Sequence, residues 1–155
     1  MSDARRPGRL HHVGITVADI DTSLAFWERL LGVHPRGRAT LDGPLLGGLV
    51  GYPGVRMERC WIDLPDGVAL ELLQYLDRHD VAYPPGTAHP GNVHVCLQVD
   101  DMAGAHAHAL ACGAEPVGEG PIQVPAGASA GARIAYLRDP DGVTIELFQP
   151  PDAEG

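Results

Sequence analysis

An internal repeat limits the folds open to this chain more than any other feature. Asp66-Gly-Val-Ala-Leu-Glu71-Leu returns as Asp141-Gly-Val-Thr-Ile-Glu146-Leu, and His12-Val-Gly-Ile-Thr-Val-Ala-Asp19 returns as His94-Val-Cys-Leu-Gln-Val-Asp-Asp101. Two sets of matches in the same order describe one supersecondary unit used twice. In each copy a histidine opens an alternating apolar run, and an aspartate follows where a helix needs its N-cap. Ile20, Leu24, Trp27 and Leu31 give the first helix an apolar stripe, whereas Met102 to Cys112 is alanine-rich and only weakly amphipathic. Gly32 and Gly113 stand where left-handed glycines end helices. Pro65-Asp66-Gly67 and Pro140-Asp141-Gly142 suit hairpin loops in which glycine supplies the positive φ.

Each copy therefore reads as strand, helix, then several antiparallel strands. The modules span residues 9–76 and 92–149, with tails at 1–8 and 150–155 and a linker at 77–91. The segments 34–57 and 77–92, rich in glycine and proline, read as loops. A length of 155 residues with 45% apolar content suits one compact domain, or two small modules sharing a core.

Composition excludes several classes of function. Nowhere do enough apolar residues run together for a signal peptide or a membrane span, so a cytoplasmic protein is expected. The net charge of −9, without a basic cluster beyond the N-terminal arginines, argues against nucleic acid as a partner. All 11 cationic residues are arginine, which rules out lysine-based covalent chemistry and leaves arginine to grip any anionic substrate. Cys60, Cys96 and Cys112 lack paired spacing and read as buried free thiols.

Strand alternation then sorts side chains by face. Val13, Ile15 and Val17 oppose His12, while Val93, Val95, Leu97 and Val99 oppose His94 and Cys96. Val68, Leu70 and Leu72 oppose Glu71, and Val143, Ile145 and Leu147 oppose Glu146. A lone strand glutamate or histidine is ordinarily a solvated side chain, but a pair of pairs on the non-aliphatic faces points to metal ligation. Two nitrogen and two oxygen donors suit one divalent ion such as Ni, Co, Zn, Mn or Fe. The turns set a register pairing Leu64 with Val68 and Asp139 with Val143. That places Trp61 opposite Glu71 and Tyr136 opposite Glu146, flanking the ligands. Cys96, on the His94 face, could approach the metal or serve as a small buried filler. Alternation turns His11 away from His12. His34, His79, His89, His106 and His108 read as solvated, and Arg36, Arg38, Arg56 and Arg59 are candidates to receive a carboxylate or phosphate.

Leu10-His-His12-Val-Gly-Ile-Thr-Val-Ala-Asp19, the Glu71 strand, Asn92-Val-His94-Val and Arg138-Asp-Pro-Asp-Gly-Val-Thr-Ile-Glu146-Leu-Phe resemble the vicinal oxygen chelate superfamily. Its members include glyoxalase I, methylmalonyl-CoA epimerase, extradiol dioxygenases, fosfomycin-resistance transferases and bleomycin-binding proteins. The resemblance covers about residues 9–149. It implies an α+β fold of two βαβββ modules, forming a curved, mostly antiparallel sheet around a metal cavity. The ligand set resembles that of metal-dependent glyoxalase I and carries over to His12, Glu71, His94 and Glu146.

What the resemblance implies for activity is a lyase or isomerase that moves a proton through a metal-bound enediolate, with Glu146 or Glu71 as base. Trp61, Tyr136 and Arg59 are the expected substrate contacts. An epimerase of this superfamily uses a further glutamate in the first module's loop, and between Val33 and Met57 this chain has only Asp42. Two alternatives remain open: an Fe(II) dioxygenase, and a resistance protein that binds a drug or natural product without turnover. A homodimer acting on a small molecule is the expected assembly.

Overall fold

The computed structural model describes residues 8–78 and 86–152. The N-terminal arginines Arg5 and Arg6, His79 and part of the expected linker lie outside the described residues. The chain divides into two compact units, residues 1–80 and 81–155.

Unit 1 contains β1 (His12–Thr16), α1 (Ile20–Leu31), β2 (Arg36–Leu41), α2 (Pro44–Val50), β3 (Met57–Asp63) and β4 (Ala69–Tyr75). Its open sheet has the order β1-β4-β3-β2, with β1 parallel to β4 and the other pairs antiparallel. Unit 2 contains β5 (His94–Gln98), α3 (Met102–Ala111), β6 (Glu115–Gln123), β7 (Arg133–Arg138) and β8 (Thr144–Gln149). Its order, β5-β8-β7-β6, repeats the topology of unit 1 strand for strand, again with one parallel pair, β5 with β8. The fold class is α+β, built from two four-stranded mixed sheets.

The helices begin where the aspartates predict. Asp19 accepts from the Thr22 backbone N–H at 2.7 Å, and Asp101 from that of Ala103 at 3.1 Å. The Thr22 bonds hold the Asp19 carboxyl below its usual range, so this cap persists until the pH falls below that range. Gly32, at φ 66°, ends α1 in the left-handed region.

The hairpin loops also form as expected. Leu64 donates to the Val68 carbonyl at 2.8 Å, and Asp139 to that of Val143 at 3.0 Å. A repeated tether was not foreseen. The Gln74 side-chain oxygen accepts from the Ile20 N–H at 3.0 Å, and that of Gln149 from the Met102 N–H at 2.9 Å. The repeat thus extends to Glu-Leu-x-Gln, and the glutamine after each strand glutamate fastens the helix start to the strand end.

Packing explains the rest. Leu70 and Leu72 on β4 are fully buried, together with Ile62, Trp27 and Ile20, and Leu24 is buried beside them, so β4 and β3 share a core with α1. Each such aliphatic side chain contributes about 1.5–3 kcal/mol by burial. In unit 2, Ile145, Leu147 and Leu137 occupy the matching face, with Met102 and Ala109 from α3.

Two expectations fail here. Val93 precedes β5 rather than lying in it, and it is 79% exposed. The segment 34–57 is not loop: it forms β2, α2 and the first residue of β3. Gly37 (φ 64°) sits at a bulge and Gly43 and Gly51 cap α2, while Gly47 and Gly48 lie within that helix; Arg36 and Ala39 to Leu41 pair with β3. α2 packs Leu46, along with Val55, on Met57, Leu41, Leu73 and Tyr75, which belong to the sheet face opposite α1.

Gln74→Met is expected to leave the Ile20 N–H without its acceptor. The loss of unfolding free energy in urea should be about 1–3 kcal/mol, whereas Gln98→Met, on an exposed position, should change it by less than about 0.5 kcal/mol.

Candidate functional site

Each unit carries a His–Glu pair at the same place in its sheet. In unit 1, β1 runs parallel to β4 with His12 beside Ala69 and Gly14 beside Glu71, so His12 and Glu71 are diagonal neighbours on one face. His12 Nε2 lies 3.3 Å from Glu71 Oε2. In unit 2 the same register sets His94 beside Thr144 and Cys96 beside Glu146, with His94 Nε2 2.8 Å from Glu146 Oε2. The glutamates are the more enclosed members, their side chains 16% and 13% exposed against 38% and 43% for the histidines. Nitrogen and oxygen donors therefore meet at the open side of each sheet, a donor chemistry that fits a borderline divalent ion. Among the described residues no group of three or more His, Cys, Asp or Glu side chains gathers, so the described arrangement is a pair in each unit.

The aromatics fall in the predicted register: Trp61 pairs with Glu71 and Tyr136 with Glu146. The His12 and Trp61 rings meet edge to face at 5.2 Å, and His94 and Tyr136 are tilted at 5.5 Å. Burial, with Glu146 and Cys96 nearby, pushes the Tyr136 phenol above its usual range, which keeps it a neutral hydrogen-bond donor. Arg59 lies two positions from Trp61 on β3, with its guanidinium carbon 5.4 Å from the Trp61 ring.

Three side chains differ from expectation. His11 stands before β1 begins, so strand alternation does not govern it, and its Nδ1 lies 2.8 Å from His12 Nδ1. One ring must donate and the other accept. If His12 Nδ1 carries the proton, its Nε2 lone pair is turned toward Glu71 and free to ligate. Cys96 is exposed rather than buried, because it lies opposite Glu146 on the open face; Cys60 and Cys112 are buried as expected. Burial of its sulfur region and the adjacent Glu146 charge push the Cys96 thiol up. His106, on α3, is half-buried with its Nε2 enclosed, not solvated.

No helix among the described residues is long and apolar enough to cross a membrane. The profile of the Glyoxalase/Bleomycin resistance protein/Dioxygenase superfamily matches residues 11–136, and the chain belongs to that superfamily. It is 31% identical over 149 residues to a lactoylglutathione lyase of Neisseria meningitidis, covering 91% of this chain and 90% of that one. It is 27% identical to an ethylmalonyl-CoA/methylmalonyl-CoA epimerase of Cereibacter sphaeroides, covering 92% and 98% of the two chains. Among solved structures, a glyoxalase family protein of Bacillus cereus superposes with a TM-score of 0.81 at 27% identity, covering 97% of this chain and 99% of that one.

Two outcomes follow for metal-free protein. His11→Ala should leave the fold intact and remove the partner of His12 Nδ1, so that the Glu71 carboxylate favours the Nε2–H tautomer, read in 15N ring spectra at a pH where the His12 ring is neutral. Alkylation of Cys96 by iodoacetamide should be slow at neutral pH and speed up in alkali. Glu146→Gln, by removing the charge that disfavours the thiolate, should make it faster at any given pH.

Proposed function

We propose that this chain is a metal-dependent lyase or isomerase of the glyoxalase type, moving a proton on the carbon beside a carbonyl of a small oxygenated substrate. The observation that carries the reading is the His–Glu pair set at matching register in both units, each with an aromatic ring against its histidine. On this reading His12, Glu71, His94 and Glu146 hold one divalent ion, Ni, Co, Zn, Mn or Fe. Bound there, the ion supplies Lewis acidity toward the substrate's oxygens.

The chain's own groups do the rest. Glu146 or Glu71 takes the proton at a carboxylate oxygen and returns it to the neighbouring carbon, so that neither charge nor atoms are lost. A carboxylate clamped by a cation would be a weak base, so the acting glutamate would be the one that the ion holds less firmly. Trp61 and Tyr136 provide flat walls that hold the substrate against the glutamates and exclude water. The protein is read as a cytoplasmic homodimer.

The relative named as a lactoylglutathione lyase supports the lyase reading, and the epimerase relative supports proton transfer as the shared chemistry. Asp42 follows the end of β2 and is exposed, and it is the sole acid between Val33 and Met57, which favours the lyase over the epimerase.

Elemental analysis of wild type, Glu146→Ala and His94→Ala, after loading with Ni, Co, Zn, Mn or anaerobic Fe(II), is expected to give about one ion per chain in wild type and much less in both variants. The loaded wild type should convert the methylglyoxal–glutathione hemithioacetal to a thioester faster than it epimerises methylmalonyl-CoA. Replacing the glutamate that acts as base by glutamine should lower kcat about a hundredfold or more. Oxygen consumption with Fe(II) and a catechol would move the assignment to a dioxygenase. Failure to retain any metal would leave a binding protein.

A further inference from the structure

Of the four arginines near the first hairpin, three are already engaged by acids. Arg36 makes a two-pronged pair with Asp63, at 2.5 and 2.7 Å. Arg38 bridges Glu58 at 2.7 Å and Asp21 at 2.5 Å. Arg56 holds Asp77 at 2.9 and 3.1 Å. In each of these arginines two of the guanidinium nitrogens are bonded to acids, and the charge is offset by them.

Arg59 stands apart. Its Nε is enclosed with no hydrogen-bond acceptor, and among the described residues no acid pairs with its guanidinium. What holds it is the Trp61 ring, 5.4 Å from its guanidinium carbon. An aromatic face attracts and orients a guanidinium without consuming its in-plane donors. An unpaired cation is unexpected in a chain of net charge −9, where acids are plentiful.

The repeat shows that the fold does not require arginine here. Arg59 pairs with Leu73, two positions beyond Glu71. The matching pair in unit 2, two positions beyond Glu146, is Ile134 with Phe148. An isoleucine fills the position in one copy, so the cation in the other serves something besides packing. Its surroundings define a short row on one face: the apolar cluster under α2, which includes Leu73, then Arg59, then Trp61 opposite Glu71.

We propose that Arg59 receives a carboxylate of the substrate, whose flat or apolar remainder lies along Trp61; the substrate is therefore a carboxylate-bearing molecule. A carboxylate matches the single planar fork that Arg59 offers. A phosphate monoester, carrying nearly two negative charges, would need a second free cation to offset Glu71, and the neighbouring arginines are engaged. The inference rests on the reading of this face as the substrate surface.

The test is an NMR titration of the 15N-labelled full-length, metal-free protein with benzoate, benzamide and phenyl phosphate. The indole N–H of Trp61 is the reporter, and that of Trp27, fully buried, is the internal reference. Benzoate is expected to shift Trp61 and to bind about tenfold or more tightly than benzamide or phenyl phosphate. Arg59→Gln should reduce benzoate to the level of benzamide, leaving benzamide unchanged, and Arg59→Lys should restore part of the difference. Arg36→Gln should keep the preference.

Equal binding of benzoate and benzamide, a preference for phenyl phosphate, no Trp61 shift with benzoate, or equal loss of both ligands in Arg59→Gln would each overturn the proposal. The two readings fail separately. Carboxylate preference without metal uptake or turnover would sink the proposed reaction and leave the anion site. Turnover with metal but no carboxylate preference would do the reverse.

Discussion

The structure depends on two central strands, β4 and β8, each hydrogen-bonded on both sides, parallel to one neighbour and antiparallel to the other. A strand paired on both edges has no freedom of register, and its alternation is enforced by burial: Leu70 and Leu72, or Ile145 and Leu147, must face the helix. Glu71 and Glu146 are thereby compelled to the opposite face. The parallel partners β1 and β5 then set His12 and His94 diagonally beside them. The chemistry of the site is a by-product of how each sheet builds its core.

Comparison of the two copies separates what the fold needs from what it leaves free. Both keep the capping aspartate, the turn Asp-Gly, the His–Glu pair and the glutamine that tethers the helix. They differ around that frame. Gly14 stands opposite Glu71 where Cys96 stands opposite Glu146, and His11 precedes His12 where Val93 precedes His94. Arg59 answers to Ile134, and α2 belongs to unit 1 alone among the described elements. A duplicated frame thus carries two unlike linings.

Much of this was legible before any coordinates. Period-two alternation and the two Asp-Gly turns carry the register, so Trp61 and Tyr136 could be assigned to faces by counting back from a hairpin. Where the counting failed, a local rule had been carried past its range. His11 and Val93 precede their strands, so alternation says nothing about them. β2 and α2 were concealed by glycines, which mark turns and bulges but also occur within short elements packed on an existing sheet. Gln74 and Gln149 extended a repeat already in view, and the position of their partners on the helices was the missing piece.

By itself the sequence determined the duplicated strand-and-helix unit, its caps and turns, and the faces on which the histidines and glutamates lie. These follow from interactions between residues close in the chain and from the period of a strand. Only the tertiary structure decided which side chains are already engaged. Whether an arginine is paired with an acid, whether a thiol is enclosed, and which ring leans on which depend on neighbours brought together by strand pairing and helix packing. Arg36, Arg38, Arg56 and Arg59 look alike in the sequence. They are distinguished by Asp63, Glu58, Asp21 and Asp77, which reach the first three, whereas among the described residues Arg59 has only the Trp61 ring, which Arg36 also approaches at 5.9 Å.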